Sequence, residues 1–279
     1  MKVVVAEHCG YCMGVNLAIN KALETAKGSA RVWTVGPLIH NRQAVAQLEQ
    51  LGIHELANDR DLKPGDTVLV RAHGIPKSRR DELASLGVNI VDATCPHVRK
   101  AQEIIAHYTS RKYSGIIIGD EGHAEIISIL GNAEGPCVVV PDASATGRAS
   151  QLSPPYVVIC QTTYNITEID GILAALPLEK GRDIVVKTIC RATTDRQEAA
   201  LKLAGSVEVV FVVGGLHSAN TRRLAAVCAT VNPRTFHIET AAEITPEQVE
   251  GASLAGVTAG ASTPSWVISE VVQKLEGLN

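Results

Sequence analysis

Three of the seven cysteines stand where a strand-like run gives way to a helix-like one. Cys12 follows Val3-Val4-Val5, Cys95 follows Asn89-Ile90-Val91-Asp92, and Cys190 follows Ile184-Val185-Val186. A thiolate in front of a helix lies at the positive end of the helix dipole, which favours it as a metal ligand or a nucleophile. The three lie 83 and 95 residues apart, a spacing that divides the chain into three segments of nearly equal length.

The same phase recurs at other turns. Counting 28 residues on from each cysteine reaches His40, His123 and Ser218, each at a glycine-containing turn. Counting 61, 67 and 72 residues on reaches His73, Thr162 and Ser262. Three thiolates with no fourth ligand in phase leave one coordination position open, as in a zinc site with a bound water or an iron-sulfur cluster with one free iron. Soft, all-thiolate ligation favours the cluster. Histidines together with Ser218, Asn220 and Ser262 at helix starts suit phosphate oxygens, because backbone N–H groups and the helix dipole already favour an anion there. Glu125, two residues after His123, is the carboxyl group placed to donate a proton.

These residues need elements to hold them. Short β-branched runs alternate with helical patterns, including one from about Asn16, so strand-helix-strand units around parallel sheets are expected. Ligands of such sheets bind at the carboxyl ends of the strands, where all nine turns fall. The expected fold is therefore α/β, with segments 1–95, 96–187 and 188–279 packed closely, since neither junction has linker composition. Pro141-Asp142-Ala143-Ser144-Ala145-Thr146-Gly147 reads as a surface loop.

Composition narrows the function further. A net charge of −3 without a basic tract, and only 3% aromatic residues, argue against a nucleic-acid scaffold. No apolar run reaches membrane-spanning length, and Met1-Lys2-Val3-Val4-Val5-Ala6 meets Glu7 too soon for a signal peptide, so a cytoplasmic protein is expected. In that compartment thiols stay reduced. Cys137, Cys160 and Cys228 read as packing residues, and Cys9 has no assigned role.

Competing motifs fit less well. Cys9-Gly10-Tyr11-Cys12 could be a thiol-disulfide pair, which leaves the matching cysteines at 95 and 190 unexplained. His123-Ala124-Glu125 has the zinc-deaminase H-x-E pattern, yet Pro136-Cys137 lacks the second cysteine of P-C-x-x-C. Neither Gly214-Gly215 nor Gly119-x-x-Gly122 completes a dinucleotide fingerprint.

Eight ordered motifs carry a family resemblance: Gly10-Tyr11-Cys12-Met13-Gly14-Val15, His40-Asn41-Arg42, Ala72-His73-Gly74, Asp92-Ala93-Thr94-Cys95-Pro96, Glu121-Gly122-His123-Ala124-Glu125, Gln161-Thr162-Thr163, Cys190-Arg191-Ala192-Thr193-Thr194-Asp195-Arg196-Gln197-Glu198 and Thr258-Ala259-Gly260-Ala261-Ser262. Over essentially the whole chain they resemble the IspH/LytB family, the 4-hydroxy-3-methylbut-2-enyl diphosphate reductases. The resemblance implies three pseudo-threefold related α/β units around a central 4Fe-4S cluster, with Cys12, Cys95 and Cys190 as its ligands. It implies binding of the diphosphate by His40, His73, His123, Ser218, Asn220 and Ser262, and a proton relay through Glu125 and Thr162. The allylic hydroxyl would meet the open iron and leave as water, yielding isopentenyl and dimethylallyl diphosphate at the end of the non-mevalonate isoprenoid route. A ferredoxin or flavodoxin would bring electrons. A paralogous cluster reductase of another phosphorylated allylic alcohol, or a thiol-redox or zinc-binding module, is the alternative. Four positions depart from the family pattern: Ala219 lacks a usual serine hydroxyl, His217 stands where asparagine is common, Arg191 replaces an aromatic, and Met13 replaces a small residue.

Overall fold

In the computed structural model, residues 1–28 and 31–278 are described. Ser29 and Ala30 of the first expected segment, and Asn279 of the third, lie outside the described residues.

Among the described residues, twelve strands form three all-parallel sheets. In chain order they are β1 Lys2–Val5, β2 Val32–Thr34, β3 Ile53–Glu55, β4 Thr67–Val70, β5 Asn89–Asp92, β6 Ser114–Ile118, β7 Cys137–Val140, β8 Tyr156–Cys160, β9 Ile184–Val186, β10 Val209–Val213, β11 Thr235–Ile238 and β12 Leu254–Ala259. The helices are α1 Met13–Gly28, α2 Arg42–Gln50, α3 Lys77–Ser85, α4 Pro96–Thr109, α5 Ala124–Leu130, α6 Ile169–Ala175, α7 Arg191–Ala204, α8 Ala219–Ala229, α9 Pro246–Val249 and α10 Ser265–Glu276.

The sheet orders are β3-β2-β4-β5, β7-β6-β8-β9 and β11-β10-β12-β1, which are one topology three times: second, first, third, fourth. The fourth strand of the last sheet is the first of the chain, registered by Lys2 against Leu254 and Val5 against Val257. The expected junctions at 95/96 and 187/188 fall between sheets, whereas β1 crosses the segment order to complete a sheet that would otherwise have three strands.

Burial explains the strand sequences. The central strands β6, β8 and β10 are buried along their whole length, as runs such as Val209-Val210-Phe211-Val212-Val213 require when helices cover both faces. On β10 the alternation divides that run: Val209, Phe211 and Val213 pack with Val267, Val271 and Leu275 of α10, while Val210 and Val212 pack with Ala200 of α7 and Leu224 of α8. The middle sheet repeats this, with Ile116 and Ile118 on the α6 side and Ile117 with Ile105 and Ile126 on the α4 and α5 side.

Two local expectations are corrected. α1 begins at Met13, not Asn16, because the Asn16 N–H already donates to the Cys12 carbonyl at 2.9 Å and the glycine at position 14 hides the start. The segment read as a loop at 141–147 enters a 3₁₀ stretch, Ala143–Gln151, which Asp142 opens by accepting from the Ser144 N–H at 2.8 Å.

Backbone contacts group the chain into two compact units, one of Met1–Asn16, Ile39–Gln50 and the residues from Arg191 onward, the other of Leu17–Leu38 and Leu51–Cys190. Within the second unit the β4–β5 and β6–β9 regions are joined directly. The Lys77 N–H donates to the Gly131 carbonyl (3.1 Å), and the Asn132 side-chain amide donates to the Ile75 carbonyl (3.2 Å).

Candidate active site

Each cysteine of the set stands immediately before a helix that leads from one sheet to the next: Cys12 before α1, Cys95 before α4, Cys190 before α7. Each follows the fourth, edge strand of its sheet. A repeated backbone bond fixes the three turns. The N–H of Cys12 donates to the Ala261 carbonyl (3.1 Å), that of Cys95 to Ala72 (2.9 Å), and that of Cys190 to Thr162 (2.9 Å). Every cysteine is thereby stitched to the turn after the third strand, where Ser262, His73 and Thr162 stand.

The remaining predicted residues follow the first and third strands. These are the two central, adjacent strands of each sheet, and their connections diverge to opposite sides. That is the topological switch point at which open parallel sheets bind ligands.

In the unit Leu17–Leu38 and Leu51–Cys190 the structure brings together His73, His123, Glu125 and Thr162. The rings of His73 and His123 meet edge to face with centroids 5.3 Å apart. His123 caps α5, its Nδ1 accepting from the Glu125 N–H at 3.2 Å, so a neutral ring carries its proton on Nε2. Glu125 is 1% exposed, and both of its oxygens are engaged by one residue. The Thr162 N–H donates to Oε1 at 2.6 Å and the Thr162 hydroxyl to Oε2 at 2.8 Å. Gly74, just past His73, has φ +70, and a side chain there would strike Gln102 and Ser128.

Two positioning groups in this unit lay beyond the sequence reading. Fully buried Gln161 accepts from the Asp120 N–H at 2.8 Å and donates to the Thr163 hydroxyl at 3.1 Å, tying the end of β8 to that of β6. Its place in the Gln161-Thr162-Thr163 motif was the available signal. Asp92 shapes the Cys95 turn by accepting from the Thr94 N–H (2.9 Å), while Arg80 (2.5 Å) and Arg99 (3.1 Å) approach its other oxygen. Burial opposes the charge of Asp92, yet the Thr94 donors and Arg80 outweigh it and hold the carboxyl down to about 2.

In the unit that holds the last sheet, Cys12, His40, Ser218, Asn220 and Ser262 stand on four linked turns. Ser218 caps α8 by accepting from the Thr221 N–H at 3.3 Å, and Asn41 caps α2 by accepting from the Ala44 N–H at 2.9 Å. A side chain at Gly215 would collide with the His40 carbonyl oxygen, so the His40 and Ser218 loops touch backbone to backbone. The Nδ2 of Asn220 is buried without a hydrogen-bond partner among the described residues, a donor awaiting an acceptor. Buried Arg196, six residues past Cys190 and also unforeseen, donates to the carbonyls of His8 (3.1 Å) and Ala259 (2.9 Å). It braces the approach to Cys12.

The other four cysteines behave as packing groups. Burial pushes the thiols of Cys9, Cys137 and Cys228 up to about 11 and that of Cys160 to about 12, so they stay protonated. Cys9 packs against the α10 face of the last sheet, which gives it the structural role the sequence withheld. Arg191 is 91% exposed and reaches Asp195 at 3.7 Å. Met13 is 53% exposed at the start of α1. Among the described residues no three His, Cys, Asp or Glu side chains are grouped as around a bound ion.

Three parallel sheets of one order, each edged by a cysteine-headed helix, define the class: a triply repeated α/β protein with thiols after its edge strands and imidazole and hydroxyl groups at its switch points. The chain belongs to the family described as LytB protein, whose model matches residues 3–276. It is 38% identical over 279 residues to the 4-hydroxy-3-methylbut-2-enyl diphosphate reductase of Citrifermentans bemidjiense, covering 100% of this chain and 98% of that one. It resembles the solved structure of (E)-4-hydroxy-3-methyl-but-2-enyl diphosphate reductase, titled the terminal enzyme of the non-mevalonate pathway, with a TM-score of 0.72, 38% identity and 99% of both chains covered. The E-1-hydroxy-2-methyl-but-2-enyl-4-diphosphate reductase of Plasmodium falciparum shares the fold, with a TM-score of 0.91 at 23% identity over 99% of this chain and 88% of that one.

Proposed function

We propose that this chain is a reductase that converts 4-hydroxy-3-methylbut-2-enyl diphosphate to isopentenyl and dimethylallyl diphosphate, the last step of the non-mevalonate isoprenoid route. Full-length similarity to reductases of that name supports the reaction. The observation that carries it is the equivalent seating of Cys12, Cys95 and Cys190, one per sheet, each held by the same backbone bond beside a polar turn.

The donor set fits an iron-sulfur cluster. All three sulfurs precede helix N-termini, where a thiolate is favoured, and the Val15 N–H already lies 3.4 Å from the Cys12 Sγ as a donor. In this reading Cys12, Cys95 and Cys190 would hold a 4Fe-4S cluster, which would relay two electrons one at a time from the external donor and offer a Lewis-acidic iron. Overall, two electrons and two protons enter, and the allylic hydroxyl leaves as water.

The chain's own residues bind the diphosphate and move a proton. His40, His73, His123, Ser218, Asn220 and Ser262 would offer donors to the diphosphate. Partner-free Asn220 Nδ2 is a donor whose burial is offset only when such an acceptor is present. Glu125 would hold a proton at its carboxyl and, with the Thr162–Glu125 hydrogen bond reversed from its present direction, give it to the Thr162 hydroxyl oxygen as that hydroxyl passes its own proton to the departing oxygen. The segments 1–95, 96–187 and 188–279 are the three repeats of the site. No described helix is long and apolar enough to cross a membrane. The proposal places the enzyme in the cytoplasm with a ferredoxin or flavodoxin as electron donor and no nucleic-acid or membrane partner.

Anaerobically purified protein tests this reading by its metal content and colour. The expected result is brown protein whose iron and sulfide are lost in Cys190→Ser and kept in Cys9→Ser. Colourless protein carrying stoichiometric zinc would contradict it and favour the zinc-binding alternative.

A further inference from the structure

We propose that Arg42 is an additional diphosphate-binding residue of this site and that His217 is the positioning residue that aims it. This rests on the reading of the site as a diphosphate site, which it deepens. Arg42 is the first residue of α2, two residues past His40, and His217 directly precedes Ser218 at the start of α8. Arg42 Nη2 lies 2.9 Å from His217 Nε2, a contact between residues 175 apart in the chain. It spans the two loops that touch at Gly215 and His40.

Charge and donor counting give the pair its meaning. A guanidinium has only donors, so His217 Nε2 must be the acceptor, with the ring neutral and its proton on Nδ1. Neutral His217 orients Arg42 without cancelling its charge, and Arg42 forms no ion pair among the described residues. A cation at the first position of a helix opposes the helix dipole, and the first turn of α2 has no acidic residue to relieve it. An anion at the starts of α2 and α8 removes that conflict and meets the N–H groups of Arg42 that His217 leaves free. The neighbouring Arg222 is committed to the Leu216 carbonyl (3.2 Å), and Glu239 accepts from the Leu216 N–H (2.8 Å). Ala219, between Ser218 and Asn220, offers no hydroxyl, and Arg42 supplies a donor at the same loop.

The test combines steady-state kinetics with calorimetric titration of inorganic pyrophosphate into the cluster-loaded protein. Arg42→Gln should raise KM and weaken pyrophosphate binding by about tenfold or more, the scale of a charge-assisted contact, with kcat held within about twofold. His217→Ala should do so in part, His217→Gln should restore nearly normal KM because its amide oxygen can accept near the Nε2 position, and Arg42→Gln/His217→Ala should be no worse than Arg42→Gln. Unchanged KM and pyrophosphate affinity in Arg42→Gln overturn the proposal. Fully additive effects of the two substitutions overturn the positioning role of His217. Should the wild-type protein bind pyrophosphate through Arg42 yet fail to reduce the hydroxylated diphosphate, the reaction reading falls and this proposal stands.

Discussion

Glu125 is held at both oxygens by Thr162, one bond to the backbone and one to the hydroxyl, in a pocket that leaves it 1% exposed. Such a carboxyl is fixed in place, and in the proposed reaction the threonine hydroxyl takes its proton. Glu125→Gln keeps size and one acceptor but has no acidic proton to give. It should reduce kcat by about 10²-fold or more, the usual scale for a general acid, while KM and the cluster spectrum stay near normal. His40→Ala, which would remove a proposed phosphate contact common to ground and transition state, should instead raise KM with a small effect on kcat. Steady-state kinetics under anaerobic conditions separate the two patterns. Thr162 and His40 stand out in the sequence because their phase relative to the cysteines repeats, and Glu125 because it lies two residues after His123. Gln161 was not, because its role arises only when Ile118 and Cys160 pair across β6 and β8 and bring two strand ends together. The Arg42–His217 contact was hidden for the same kind of reason: nothing local marks two residues 175 positions apart as neighbours.

At the scale of elements, the turns after the first and third strands of each sheet lie side by side because those strands are central and adjacent. The His40 and Ser218 loops, which follow strands of different sheets, meet backbone to backbone as well. A methyl group at Gly215 meets the His40 carbonyl oxygen, which belongs to backbone and cannot rotate away. Gly215→Ala should therefore cost roughly 1–3 kcal/mol of stability by overpacking, and it should raise KM by displacing His40. Gly147→Ala, where a side chain meets nothing within 4 Å, should change neither. Thermal unfolding and KM together check the pair. Helix starts were partly legible from the sequence. Pro96 after Cys95 marks α4 clearly, since proline suits a first helical position. Gly14 and the absence of an acidic first turn concealed that α1 starts directly after Cys12.

For the whole molecule, three sheets of one order are the structural form of the sequence repeat. Their near-continuous apolar runs and equal spacing made the α/β class and the count of three readable from the chain. The placement of β1 was not readable. A short strand pairs with β12 some 250 residues away through backbone bonds that carry no side-chain signature, so chain order alone assigned it to the first segment. The consequence is functional, because β1 leads to Cys12 and seats it beside the Ser262 turn of the last sheet. Each sheet then offers one thiol and two polar turns, and the proposed reaction uses all three sets.

That claim is tested most directly by anaerobic turnover of 4-hydroxy-3-methylbut-2-enyl diphosphate with the iron-loaded protein and a reduced one-electron donor, followed by product analysis. Isopentenyl and dimethylallyl diphosphate are the expected products, with turnover abolished in Cys12→Ser, Cys95→Ser and Cys190→Ser alike. Iron-loaded protein that leaves the hydroxylated diphosphate unchanged would contradict that claim.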